Sequence, residues 1–129
     1  MSTSQTPTIN LPNGVDHPLT SPDPSPPQEI EATIARLSAY RHVKGVMVLF
    51  RRGVDGGGIV QSTGTVFEGE NGQRYARELE GVVEGVTKAV GECDSGDQLR
   101  FMRIRTKRHE LIITPDEKYV LVVLQDPGQ

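Results

Sequence analysis

The residue types that most often catalyse reactions or bind metals are few and scattered in this chain of 129 residues. Its three histidines, His17, His42 and His109, stand apart, and its one cysteine, Cys93, has no partner for a disulfide or a C-x-x-C pair. No H-x-x-x-H or glycine-lysine-serine/threonine pattern occurs, so the zinc sites and phosphate loops marked by these patterns have no counterpart. We therefore predict no catalytic residue, no metal site and no cofactor.

Two short stretches have some features of ligand-binding loops. The glycines 56–58 could wrap a phosphate, but they lead into a predicted strand and not into a helix N-terminus, which favours a hairpin turn. Asp94 and Asp97 have the spacing of two calcium ligands but lack the glutamate that such a loop needs. We interpret this second stretch as a turn that ends a helix.

The basic stretch FMRIRTKR (101–108) raises the possibility of nucleic-acid binding. It places four arginine and lysine side chains within six positions (103–108). A strand that stacks bases would interleave such cations with several exposed aromatic rings, and Phe101 is the only aromatic residue here. The net charge of −3 also argues against a general binder of polyanions. We predict that nucleic acid is not the partner.

Composition divides the chain into a tail and one domain. Seven of the nine prolines lie in residues 1–27, which contain no lysine, arginine or aromatic residue. Such a segment cannot bury enough surface to offset the entropy of ordering, so we predict a disordered tail at 1–27 that is dispensable for folding. The remaining residues, 28–129, are predicted to form one domain large enough to bury a core without metals or disulfides.

The same composition bears on cellular location. No window approaches the ~18 consecutive apolar residues of a membrane-spanning helix. The beginning of the chain resembles neither a secretory signal nor a transit peptide, and a single cysteine fits a reducing compartment. We expect a cytoplasmic protein without a membrane partner.

Apolar spacing predicts an α+β domain with the element order α-β-β-α-β-β-β. The helices are predicted at 28–41 and 73–93, and the strands at 43–52, 58–63, 98–108, 110–114 and 119–125. The first strand contains five consecutive apolar residues (46–50), which is typical of a strand covered on both faces.

Two of these elements have unusual surfaces. The third strand is predicted to have two mixed faces, as expected for a strand half inside a core. One face carries Arg100, Met102, Ile104 and Thr106, and the other carries Leu99, Phe101, Arg103 and Arg105. On the second helix, small residues recur every four positions at Gly81, Gly85 and Ala89. Glycine in a helix costs stability, and close approach of another helix would offset that cost. A tolerated surface position is the alternative interpretation of this stripe.

The last thirty residues resemble the roadblock family of dynein light chains. Members of that family carry an F-x-R-I-R-[ST]-K strand, then an apolar strand, a P-[DE]-x-x-[YF] turn, a hydrophobic strand and a closing Q-[DN]-P. The matching residues here are Phe101, Arg103, Ile104, Arg105, Thr106 and Lys107, then Pro115, Asp116, Tyr119, Gln125, Asp126 and Pro127. A weaker similarity, including Val43, Gly45, Val46 and Val48 of the first strand, extends over residues 28–129.

The resemblance implies a fold, an assembly and a partner. The fold is a central antiparallel five-stranded sheet with helices on both faces. Two chains join third strand to third strand into a ten-stranded sheet, and their second helices pair on one face. The implied dimer interface is formed by Gly81, Gly85, Ala89, Leu99, Phe101, Met102, Arg103, Ile104 and Arg105.

The function implied is that of a non-catalytic light chain of cytoplasmic dynein. Its homodimer would bind a segment of the dynein intermediate chain, supporting motor assembly and microtubule-based transport in the cytoplasm. Relatives of the same architecture act as scaffolds or regulators of small GTPases, which is the alternative within the family.

Overall fold

Residues 26–54 and 56–128 are described by this computed structural model, and within them two helices and five strands follow the predicted order. The elements are α1 (Pro26–Ser38), β1 (Val43–Phe50), β2 (Ile59–Thr63), a 3-10 turn (Thr65–Phe67), α2 (Gly69–Cys93), β3 (Met102–Arg105), β4 (Glu110–Pro115) and β5 (Tyr119–Gln125). Except for two prolines, the predicted tail lies outside the described residues. Neither described helix has the length and apolar character needed to cross a membrane.

The strands form one antiparallel sheet in the order β2-β1-β5-β4-β3. The interior strand β5 is buried from Tyr119 to Leu124, and β1 is buried from Gly45 to Leu49. These are the two continuous apolar runs of the sequence, and for β1 the prediction of a strand covered on both faces is confirmed. Strands β2 and β3 form the two edges.

The two helices cover opposite faces of the sheet, as predicted. On the α1 face, the buried core consists of Ile30, Ile34, Leu37, Val46, Val48, Tyr119, Leu121 and Val123. On the α2 face, it consists of Met47, Leu49, Phe67, Ala76, Leu79, Val83, Leu111, Ile113, Val120, Val122 and Leu124. The alternation of β1 and β5 between these two lists shows that both strands supply side chains to both cores.

The first helix begins and ends earlier than predicted. It starts at Pro26, inside the predicted tail, because a proline in the first helical turn removes no hydrogen bond that the helix would otherwise make. It ends at Ser38, whose Oγ donates to the Ile34 carbonyl at 2.7 Å. The amides of Ala39 and Tyr40 then bond three residues back, which closes the helix with a tight turn.

The second helix begins at Gly69, four residues before the predicted start, in a glycine-rich stretch whose composition suggested a loop. Tertiary contacts explain the difference. Asn71 donates its side-chain amide to the Val66 carbonyl at 2.7 Å, and Gly72 lies so close to the backbone of Phe67 that a Cβ would be 1.9 Å from its carbonyl oxygen. The absence of a side chain at Gly72 lets the first turn of α2 pack on the 3-10 turn.

The third strand is much shorter than predicted: four residues pair with β4, and positions 98–101 and 106–108 lie outside the strand. A turn ends it, because the Thr106 amide donates to the His109 carbonyl at 2.8 Å and the His109 amide donates to Thr106 Oγ1 at 3.0 Å. At the other end, the register between Met102 and Ile113 leaves only Thr114 and Pro115 of β4 beyond the paired region, and a proline offers no amide.

Both predicted turns are present. Gly56, Gly57 and Gly58 all have positive φ, between 75° and 93°, and they lie in the connection between the antiparallel strands β1 and β2. Asp55 lies outside the described residues. At the end of α2, the Asp97 amide donates to the Asp94 carbonyl at 3.0 Å, which confirms the helix-ending turn.

Candidate interface on the second helix and third strand

The two halves of α2 differ in how well the chain covers them. In the first half, Gly72, Ala76, Leu79 and Val83 are buried against the sheet. None of the residues 84–93, all of which the structure describes, is buried. We call residues 84–93 the open half of α2. Its valines Val86 and Val90 are half-buried, and the neighbouring Val82 is 38% exposed, so an apolar strip of the helix faces solvent in the isolated chain.

The predicted small-residue stripe lies on this uncovered surface. A Cβ added at Gly81 or at Gly85 would have no neighbouring atom within 4 Å, and Ala89 is exposed. Packing within the chain therefore does not require glycine at either position. Each glycine costs a helix about 1 kcal/mol relative to alanine. No contact within the single chain requires glycine at these positions and so offsets this loss of stability.

The third strand presents two different faces at the edge of the sheet. Met102 and Ile104 are half-buried and pack against the α2-face core, while Arg103 and Arg105 are exposed on the opposite face. The predicted alternation over these four residues is confirmed.

Two other residues of the predicted interface lie before the strand and not within it. Leu99 is half-buried, and Phe101 is 50% exposed. One groove lies between the open half of α2 and the segment before β3. Thr87 of α2 and Leu99 of that segment both line it, together with Arg51, Pro115 and Asp116. The structure thus connects α2 with the approach to β3 on one face of the sheet. Arg103 and Arg105 lie on the other face, apart from the small-residue stripe.

The arginines of β3 are already paired within the chain. Arg103 Nε lies 2.5 Å from Oε2 of Glu110, whose side chain is only 8% exposed. Gln125 Nε2 donates to the other oxygen of Glu110 at 3.4 Å, and the Arg105 guanidinium donates to the Gly128 carbonyl. The buried carboxylate of Glu110 reduces the positive charge of the edge strand. This arrangement is that of a strand edge and does not form a binding strip for phosphates.

An ion pair holds the open half of α2 in place over the sheet. Arg51 Nε lies 3.1 Å from Glu84 Oε2, and Arg51 Nη1 donates to the Asp116 carbonyl at 2.9 Å. The Arg51 amide donates to the Lys118 carbonyl at 2.7 Å. The sequence does not predict this ion pair, because Arg51 follows an apolar strand and Glu84 is one of several glutamates on α2. No sequence pattern joins residues that are 33 positions apart.

Within the described residues, no group of three or more histidine, cysteine, aspartate or glutamate side chains is placed to hold a metal ion. The exposed Cys93 is the last residue of α2.

Comparison with known proteins identifies the family. The model of the Roadblock/LC7 domain matches residues 29–125, and domains of this family generally act as non-catalytic scaffolds or regulators. The fold is similar to the crystal structure of a Roadblock/LC7 domain from Streptomyces avermitilis, with a TM-score of 0.61, 14% identity, and coverage of 71% of this chain and 72% of that one. It is also similar to Myxococcus xanthus MglB, with a TM-score of 0.53, 18% identity, and coverage of 65% of this chain and 64% of that one. The family match spans α1 to β5, and the chain therefore belongs to the Roadblock/LC7 domain family.

Proposed function

We propose that this chain is a non-catalytic scaffold that works as a two-fold homodimer. The observation that carries the proposal is the stretch of α2 from Gly81 to Val90, where the partly exposed valines Val82, Val86 and Val90 lie beside Gly81 and Gly85. Small residues let two helix backbones approach closely, and the valines beside them would be buried by the same contact. A second copy supplies a matching surface, since a two-fold contact joins identical patches.

The edge strand β3 supports the same assembly. Two copies of β3 paired antiparallel would join the two five-stranded sheets into one of ten strands, satisfying the outward backbone groups of both edges. Like charges on facing strands repel, but Glu110 pairs with Arg103 and so lowers that repulsion. Met102 and Ile104 would then extend the apolar layer beneath the paired helices.

The proposed partner is the dynein intermediate chain, which makes this protein a light chain of cytoplasmic dynein. Support comes from the position of the family-like motif in the fold. The stretch FMRIRTK covers the edge strand β3, Pro115–Tyr119 forms the turn from β4 to β5, and Gln125-Asp126-Pro127 follows at the end of β5. The first part of the motif therefore coincides with the proposed joining edge, where a shared platform for a disordered partner segment would be assembled. Such a protein would act in the cytoplasm, in microtubule-based transport.

A scaffold or regulator of a small GTPase is the second candidate. The two solved structures described above are bacterial proteins of the same fold, so the fold by itself does not select dynein as the partner. Both candidates use the homodimer, and they differ in what binds to it.

Calorimetry with two purified partners separates the candidates. Wild-type protein is titrated with dynein intermediate chain and, separately, with a nucleotide-loaded small GTPase. We expect binding of the intermediate chain and none of the GTPase. At concentrations where its weakened dimer has dissociated, Gly85→Leu should lose that binding. Gly91→Leu, the same change on another side of α2 where a Cβ also meets nothing, should preserve it.

Binding of the GTPase alone would move the protein to the second candidate. Equal binding of the intermediate chain by wild type and by a monomeric Gly85→Leu variant would contradict a site shared between two copies.

A further inference from the structure

The two edges of the sheet are protected to different degrees. Edge strands usually carry charges or proline that discourage pairing with foreign strands, and β3 carries Arg103 and Arg105. The other edge, β2, has the sequence IVQST, with no charged residue and no proline. Within the described part of the chain, β2 pairs only with β1. One side of this strand therefore presents backbone N–H and C=O groups that have no partner strand.

A groove runs beside this unprotected edge, between β2 and the beginning of α2. Its lining includes Ile59, Ser62 and Thr63 of β2, and also Phe67, Glu68 and Glu70. Phe67 is 3% exposed and forms an apolar floor, whereas Glu68 and Glu70 are exposed at the rim. Among the described residues, no lysine or arginine lines the groove. The groove is therefore apolar at its base and negatively charged above.

We infer that the β2 edge and this groove form a docking surface for an extended peptide segment that carries lysine or arginine. The segment adds to the sheet as a strand next to β2. Main-chain hydrogen bonds supply the affinity of such strand addition, and alternate side chains supply its specificity. Side chains of the added strand that point to the α2 face enter the groove, where a cation meets Glu68 and Glu70.

This surface goes beyond the proposed dimer contact. Strands β2 and β3 are the opposite edges of the sheet, so pairing through β3 leaves β2 open. A ten-stranded dimer would carry two of these surfaces, one at each end. A partner with two basic segments would bind more tightly than a partner with one, because its second contact would form within the same complex.

The negative charge of the groove favours a segment of another protein over two alternatives from this chain, residues 1–25 and a second copy of β2. Residues 1–25 contain Asp16 and Asp23 and no lysine or arginine, so they do not complement Glu68 and Glu70. A second copy of β2 would bring no cation either. A basic segment of another protein is the occupant that fits the electrostatics.

Selection from a random library of ten-residue peptides, performed on the whole chain, tests the inference without assuming a sequence. We expect the recovered peptides to carry lysine or arginine at alternating positions. Methylation of alternate backbone nitrogens of such a peptide should weaken its binding more than about tenfold, because strand addition needs those donors. In amide-exchange NMR, the peptide should slow exchange at outward-facing amides of β2.

A charge-matched pair of variants tests the groove. The double substitution Glu68→Gln and Glu70→Gln should lower the affinity for the recovered peptides about twofold to thirtyfold. It should also make that affinity less dependent on salt concentration. Glu31→Gln with Glu92→Gln removes the same charge from exposed positions elsewhere and should change the affinity less than twofold. Thermal melts of both double variants confirm that they are folded.

Three results would overturn the inference. These are recovery of no peptide that protects β2, recovery of peptides without cations, and binding that is insensitive to backbone methylation. A fourth is slow exchange of every β2 amide in the peptide-free chain, since its own tail or a second copy would then already occupy the edge.

Discussion

Two regions of α2, its first turn and the stretch around Gly81 and Gly85, contain glycine for two different reasons. At Gly72 the backbone touches Phe67 so closely that no side chain fits. At Gly81 and Gly85 the space around the helix is empty, and a side chain would meet nothing in the chain. The first glycine is explained by the fold of one chain. The other two require a reason from outside it, and a closely packed second copy is the reason we propose.

This difference shows how an interface can be located in an isolated subunit. A residue that lowers helix stability must be compensated by contacts, and the contacts of Gly72 lie within the chain. Gly81 and Gly85 have no such contacts within the chain, and the partly exposed valines beside them, Val82, Val86 and Val90, point to the same conclusion. The predictions below are ordered by the size of the expected effect.

Gly72→Ala should cause the largest loss of stability. The added methyl group would lie 1.9 Å from the Phe67 carbonyl oxygen, so the first turn of α2 must move away from the 3-10 turn. We expect the free energy of unfolding to fall by about 3 kcal/mol or more, measured by urea denaturation. Gly91→Ala, where a Cβ meets nothing, should raise it by up to about 1 kcal/mol. Equal changes in the free energy of unfolding for the two variants would contradict the claim that only Gly72 is required by contacts within the chain.

Gly85→Leu should affect assembly and leave the single chain folded. A leucine at this position wedges two closely packed helices apart, which costs about 1–3 kcal/mol and raises the dissociation constant of the dimer roughly tenfold to a hundredfold. Light scattering after size exclusion, over a dilution series, gives the masses of the species. Gly91→Leu is the control. A variant that remains as dimeric as wild type at every concentration would show that the stripe is not at the contact.

Substitutions of two adjacent valines should have the smallest effects, and they form the most closely matched pair of variants. Val83 is fully buried in the α2-face core, and Val82 is 38% exposed. Val83→Thr buries a hydroxyl group and should lower the unfolding free energy by about 1–3 kcal/mol. Val82→Thr should change the stability of the single chain by less than about 0.5 kcal/mol, while weakening the dimer severalfold. A dimer that tolerates Val82→Thr without loss would place the contact elsewhere on α2.

The sequence predicts best where a pattern is local. The strand β5 begins and ends as predicted, because the run from Tyr119 to Gln125 is apolar and the turn before it is marked by proline and aspartate. The element order, the antiparallel sheet and the helices on both faces also follow from apolar spacing together with the family resemblance.

Prediction fails where distant residues decide the outcome. The start of α2 was placed too late, because its glycines suggest a loop until Phe67 is known to lie against them. The strand β3 is shorter than predicted, because the Thr106–His109 turn ends its pairing with β4. The Arg51–Glu84 ion pair and the buried Glu110 each depend on residues brought together by the sheet, and neither has a sequence signature.

Amide exchange at the two sheet edges tests the proposed homodimer most directly. In an isolated chain, alternate amides of Met102–Arg105 would point to solvent and exchange rapidly, as we expect for alternate amides of Ile59–Thr63. Pairing of β3 with a second copy gives every β3 amide a partner. Residue-resolved exchange by NMR on the wild-type chain should therefore show slow exchange at all four β3 amides and rapid exchange at alternate β2 amides. Equally rapid exchange at alternate positions of both edges would contradict the homodimer joined through β3.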